Sequence, residues 1–189
     1  MDYLDYMTSF RYALAGEFSF RRDVLRDIRI PSDWGLEIGV LSEMYRNYAK
    51  SRVCQVDIAN SYDHKHQPLS SEDAKNGLSK MSIDIAKALF RKLATQGVVF
   101  ERGTFRSIKA TYYRIALDAV ENSHNDAIMN GLTLDVHSEE RAVELFAENI
   151  MKAGEVFLER PSDRPFIASW NRVISAVPDI FEQLLAAVE

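Results

Sequence analysis

The stretch Pro31-Ser-Asp-Trp-Gly-Leu-Glu-Ile-Gly39, running on to Tyr48, decides how the chain is read. Ser32 or Asp33 can start a helix there, because a short side-chain oxygen accepts an N–H of the first turn that has no partner of its own. Trp34, Ile38, Leu41, Tyr45 and Tyr48 then follow at spacings of four, three, four and three, the stripe of an amphipathic helix. Glu37 falls on the flank of that stripe, whereas Glu43 neighbours Gly39, Arg46 and Asn47 on the polar side. A carboxylate beside a buried face is the less comfortable of the two, so Glu37 invites a functional reason. Beyond the helix, Cys54, Val56 and Ile58 alternate with Gln55 and Asp57, which predicts a half-buried strand over 53–58. The loop that follows carries His64-Lys65-His66. Acid and imidazole near one strand end are the materials of an acid–base or metal-assisted site.

Outward from this segment the chain is mostly helical. The aromatic-rich residues 10–20 read as short extended pieces around a turn or bulge at Gly16, and 20–28 as a short helix ending before Pro31. Ser70, with Asp73 three residues on, can cap a helix that buries Leu78, Met81, Ile85, Leu89 and Leu93 and stops at Gly97. A second stripe runs Phe105, Ile108, Tyr112, Ile115 and Ala119. A third starts from the cap candidate Ser138, carries Val143, Phe146, Ile150, Ala153 and Phe157, and stops before Pro161. The last runs from Trp170 to Val188, with Pro178 either kinking it or opening its second half. The gaps 122–137 and 159–167 are the expected loops. Two or three short strands and about five helices predict a mainly α fold with a minor β component (α+β), with too few strands for a nucleotide-binding sheet. Amphipathic helices of this kind need partners, either one another or a second chain.

Composition narrows the function classes. A length of 189 residues, 47% hydrophobic and 27% charged, is ordinary for a globular domain with room for a helical appendage. A net charge of −5 argues against broad nucleic-acid binding, and Arg21, Arg22, Arg26 and Arg29 alternate with Asp23 and Asp27 as on a solvated helix face. The single cysteine, Cys54, excludes an internal disulfide and reads as a small core residue. No apolar run approaches the ~18 residues of a membrane span. The N-terminus lacks the pattern of a signal peptide, so the expectation is a cytoplasmic protein with no membrane partner.

In an extended segment, side chains two apart point the same way, so His64 and His66 can face one ion, with Asp57 and Asp63 as further oxygen ligands. The bland alternative is a pair of hydrated loop histidines. Glu37 has a bland alternative too, a salt bridge to Arg52 or Lys65 or a bend into solvent. His124 and His137 fall in expected loops without acidic partners and receive no role. No serine elbow, phosphate-cradling glycine loop or paired-cysteine metal site is present in the sequence.

Four short words occur in order: Leu14-Ala-Gly-Glu-Phe18, Trp34-Gly-Leu-Glu-Ile-Gly39, Cys54-Gln-Val-Asp57 and His64-Lys-His-Gln-Pro-Leu69. With their spacing they resemble the glucosyl-3-phosphoglycerate synthases, retaining glycosyltransferases of the GT-A fold that transfer glucose from a nucleotide sugar to 3-phosphoglycerate. The resemblance covers roughly residues 5–100. It implies that His64 completes a site for a divalent metal, Mg or Mn, with His66 a weaker candidate. It also implies that Glu37 is the carboxylate near sugar and acceptor. Tyr62 stands where many relatives place an arginine, which puts diphosphate or acceptor contacts there in doubt. The family's Asp-x-Asp motif and glycine-rich acceptor loop have no counterpart in these residues. The chain therefore looks like the C-terminal portion of such an enzyme: residues 1–70 a truncated GT-A segment and 71–189 a helical region. The expectation is a chain inactive alone, binding no metal tightly, and forming a homodimer. The alternative is a non-catalytic helical interaction or dimerisation protein derived from the same family.

Overall fold

The computed structural model describes residues 2–58, 69, 77–161 and 166–188. These residues are mainly helical, with one two-stranded ribbon as the β component. The chain divides into two compact units, Met1–Tyr62 with Arg164–Glu189, and Asp63–Asp163.

The first unit opens with helix α1 (Tyr3–Thr8), capped by Asp2 and Asp5, whose carboxylates each accept the other's backbone N–H. Its Tyr3 and Tyr6 are buried; Tyr3 shares a hydrogen with Ser42 at 2.8 Å and meets the Tyr45 ring edge-on at 5.4 Å. Helix α2 (Arg22–Asp27) places Val24 and, just past its end, Ile28 against Met44, walled by Phe20, Ile30, Tyr48 and Val53. Strand β1 (Ile30–Pro31) pairs antiparallel with β2 (Phe166–Ile167), Ile30 opposite Ile167 and Pro31 opposite Phe166. Helix α3 (Leu36–Asn47) follows β1. After β2 come α7 (Trp170–Ala176) and α8 (Ile180–Ala186), so the helix breaks around Pro178 rather than kinking through it. Trp170 stacks on Phe181 across that break at 5.5 Å.

Three sequence expectations fail in this unit. Helix α3 starts at Leu36, with Gly35 at its cap position and no side-chain cap. Asp33 Oδ1 instead accepts the Gly35 N–H at 2.9 Å and shapes the turn before the helix. Trp34 is thus outside the helix and 44% exposed, and the buried face runs Ile38, Leu41, Met44. Residues 53–58 form no strand; Cys54, Val56 and Ile58 are exposed, and Cys54 is not a core residue. Alternation fits a pleated surface only where a neighbouring strand supplies the ladder, and none does so here. Among the described residues the β component is the β1–β2 ribbon, which pairs residues 137 (Ile30 and Ile167) and 135 (Pro31 and Phe166) positions apart in sequence and has no local signature.

The second unit is built on α4 (Gly77–Ala94), α5 (Arg102–Met129) and α6 (Val136–Glu159), with α6 packed against both others. Its core is Phe90, Phe105, Ala153 and Phe157, with Phe100 stacked on Phe105 at 5.4 Å. Gly97 at φ +91° ends α4, and Val98 N–H bonds back to Leu93 O at 3.2 Å, as expected of a glycine stop. The face of α4 turned to this core is Ile83, Ala86, Phe90 and Ala94, while the expected stripe from Leu78 to Leu93 is half-buried along its length. Ser79, fully buried on the inward side, meets Asn149 of α6. Asn149 Nδ2 donates to Ser82 Oγ at 2.8 Å and Ser79 Oγ at 3.2 Å, a satisfied polar cluster that fixes how α4 and α6 align. Helix α5 continues through 122–129, expected as loop, because the polar run there still turns half-buried positions such as His124 and Ala127 inward. Asp135, not Ser138, caps α6; the Ser138 N–H donates to Asp135 Oδ1 at 3.1 Å. The proposed cap at Ser70 lies outside the described residues.

Candidate functional site

Glu37 sits in the first turn of α3, two residues past Gly35. The open N–H groups of that turn favour a negative charge, which suits a carboxylate at this position. Among the described residues Glu37 forms no ion pair; Arg52, one of its two expected partners, lies over the Tyr48 ring at 5.7 Å, and Lys65, the other, lies outside the described residues. What approaches Glu37 instead is backbone. Gly16 adopts φ +81°, and a Cβ built on it would lie 3.8 Å from Glu37 Oε1. The fold therefore brings the Leu14–Phe18 and Trp34–Gly39 words together, with glycine at the contact. That juxtaposition was not legible in the sequence, where Gly16 read only as a turn residue.

The Cys54–Asp57 word is tied to the chain's start. Gln55 Oε1 accepts the Arg11 N–H at 2.8 Å, and Asp57 Oδ2 pairs with the Arg11 guanidinium at 3.2 Å, both groups well exposed. Alternation does put Gln55 and Asp57 on one side, but the partner they meet is a single arginine rather than a strand. Sequence reading missed Arg11 altogether; no spacing rule links positions 44 and 46 residues apart. Asp57, considered as an oxygen ligand for a metal, is thus engaged by a cation.

Tyr62, His64 and His66 lie outside the described residues, as does Asp63. Among the described residues no three His, Cys, Asp or Glu side chains are grouped to hold a metal ion. His124 and His137, expected in loops, belong to α5 and to the first turn of α6. His137 is exposed, whereas His124 is half-buried with its Nδ1 out of reach of any described partner.

Comparison with known proteins joins these words into one assignment. Over 187 residues, 99% of the chain, it is 46% identical to the glucosyl-3-phosphoglycerate synthase of Persephonella marina. The chain is glucosyl-3-phosphoglycerate synthase-like. The synthase of Methanococcoides burtonii is 42% identical over 188 residues, and that of Petrotoga mobilis 30% identical over 84. The chain spans about half the length of the first two synthases, 46% of each, and 44% of it matches 24% of the third. No protein-family model matches the chain. No solved structure matches it significantly. Among the described residues no helix is long and apolar enough to cross a membrane.

Proposed function

We propose that the chain is the sugar- and acceptor-side portion of a retaining glycosyltransferase that moves glucose from a nucleotide sugar to 3-phosphoglycerate. The observation that carries this reading is the approach of Gly16 to Glu37, two words of the glucosyl-3-phosphoglycerate synthase-like sequence meeting at one carboxylate. Glycine is called for there by the left-handed φ of +81°, and a Cβ at position 16 would sit in ordinary contact with Oε1. Glu37 accepts hydrogen bonds from sugar hydroxyls and so fixes the orientation of the transferred ring, a gain in alignment rather than in bond-making. In this reading the imidazole of His64 serves a divalent cation, magnesium or manganese, with His66 the weaker candidate; such an ion would supply charge neutralisation at the diphosphate. No step through the ion is assigned to the described residues. In this reading the GT-A nucleotide-binding elements belong to the part of the relatives that these 189 residues do not span. Nucleotide sugar and 3-phosphoglycerate are therefore substrates only of the completed enzyme, and we place that enzyme in the cytoplasm.

The test has two arms. The purified 189-residue protein, given UDP-glucose, 3-phosphoglycerate and magnesium or manganese, should form no glucosyl product; turnover on the order of 1 per second would defeat the reading. In the full-length Persephonella marina synthase, glutamine at the position matching Glu37 should lower activity by about a hundredfold with the fold intact. Unchanged activity would remove Glu37 from the site.

A second reading, a helical interaction or dimerisation protein, is favoured by the apolar surface of α7 and α8, where Trp170, Phe181, Leu184 and Leu185 are 41–69% exposed. Nucleotide-sugar binding by the chain together with the unmatched part of a relative separates the two readings.

A further inference from the structure

Two arginines from opposite ends of the sequence line one open cleft beside the ribbon. Arg29, immediately before β1, and Arg172, in α7, border a space of about 430 Å³ that Phe166, Ile167 and Ala168 also line among the described residues. The volume falls in the range of small-molecule sites. Neither guanidinium makes an ion pair or a side-chain hydrogen bond among the described residues. Of the nearby acids, Asp23 pairs with Arg21 at 2.9 Å, while Asp27 accepts from Asn171 and Glu43 accepts the backbone N–H of Arg29 at 3.3 Å, and these two keep their charge beside the cleft. Two cations bordering one cleft repel each other, and an anion placed between them reverses that term. The cleft wall is the other half of the observation. Phe166 and Ile167 form β2 yet stay 46% and 57% exposed, so the ribbon presents an apolar strip directly between the two charges.

We propose that this cleft binds a small organic oxyanion, phosphoryl or carboxylate, that carries an apolar body. The oxyanion takes the two guanidinium forks, whose planar donors match either group bidentately. The apolar body lies along Phe166 and Ile167 and removes their exposed surface from water. The site uses none of the residues assigned to sugar, acceptor or metal, and it does not depend on the glycosyltransferase reading. It also has a structural consequence: Arg29 and Arg172 lie beside the β1–β2 pairing, so an occupant holds the two ends of that unit together.

The experiment is a titration of the 189-residue chain with phenyl phosphate, inorganic phosphate and benzoate, read by NMR at the arginine Nε–H groups and the Ile167 methyls. Phenyl phosphate or benzoate should shift both sets of signals saturably below about 10 mM, and inorganic phosphate, lacking the apolar body, should bind more weakly than phenyl phosphate. Whichever of the two aromatic anions binds tighter names the headgroup. Arg29→Gln and Arg172→Gln should each weaken binding about tenfold, and Arg172→Lys should not restore it, since lysine keeps the charge but not the fork. Retained cross-ribbon contacts between Pro31 and Phe166 certify the fold of each variant; if a glutamine variant loses them, the lysine variant at that position carries the comparison. Shifts confined to other residues, or affinity within about twofold of the parent in every variant, would overturn the proposal.

Discussion

The ring of Pro31 fills the space that a side chain on Gly39 would need: a Cβ built there would lie 2.1 Å from Pro31 Cγ. Glycine inside a helix ordinarily costs about 1 kcal/mol relative to alanine, so its presence in α3 needs a tertiary reason. Here the reason is that β1 crosses α3 with a proline ring against its backbone. Gly39→Ala should therefore destabilise, by about 1–3 kcal/mol, because a five-membered ring cannot fold aside. Adding Pro31→Ala should recover part of the loss, and chemical denaturation of the two single variants and the double variant measures the coupling. A more stable Gly39→Ala protein would contradict the contact.

Tyr6 offers a gain. It is 3% exposed, and its hydroxyl has no hydrogen-bond partner among the described residues. Burial, with the neighbouring Tyr3 adding to it, pushes its pKa up to about 12. Tyr6→Phe removes an unsatisfied buried hydroxyl and should raise stability by about 1 kcal/mol at neutral pH. The sign of the alkaline limb follows. The unfolded chain releases this proton near 10.0 and the folded chain only near 12, so the parent loses stability as pH rises through that interval. The phenylalanine variant lacks that contribution, and urea midpoints at neutral and alkaline pH compare the two.

Asp84 is 4% exposed on α4 and held between Lys80 and Lys87, the latter at 2.8 Å. Burial opposes its charge, but the two ammonium groups outweigh burial and hold its carboxyl below the usual 3.8. A depressed folded pKa contributes stability above the unfolded value, lost as pH falls below 3.8. Asp84→Asn should cost about 3 kcal/mol at pH 7, since Lys87 is left largely buried beside a neutral amide. The difference between parent and variant should shrink in acid, and thermal unfolding across a pH series reads both effects.

Self-association is the fourth expectation. Helices α7 and α8 have no buried residue, and Trp170, Phe181, Leu184 and Leu185 leave an apolar surface open. Two-fold pairing is the commonest way such surfaces are covered. Light scattering at micromolar concentration should give a dimer, and Leu184→Glu with Leu185→Glu should shift it to monomer. A parent protein that is monomeric throughout would remove the homodimer.

Local chemistry alone settled much of this protein. The approximate positions of α2 and α4 to α6, the glycine stop at Gly97, an interruption at Pro178 and the scarcity of strands among the described residues follow from periodicity and from glycine and proline geometry, whereas the helix caps and the full length of α5 did not. These depend on residues a few positions apart. Four short words were likewise enough to name the family resemblance that the relatives bear out. Tertiary structure alone decided which pattern found a partner. Val53–Ile58 alternates like a strand and forms none, while Ile30–Pro31 and Phe166–Ile167, with no strand signature, pair across the chain. The same holds for Gly16 beside Glu37, Arg11 on Asp57, and the inward face of α4. A sequence pattern records what a segment can bury or bond locally; which surface arrives to meet it depends on contacts between residues far apart in the chain, and these have no fixed spacing to read.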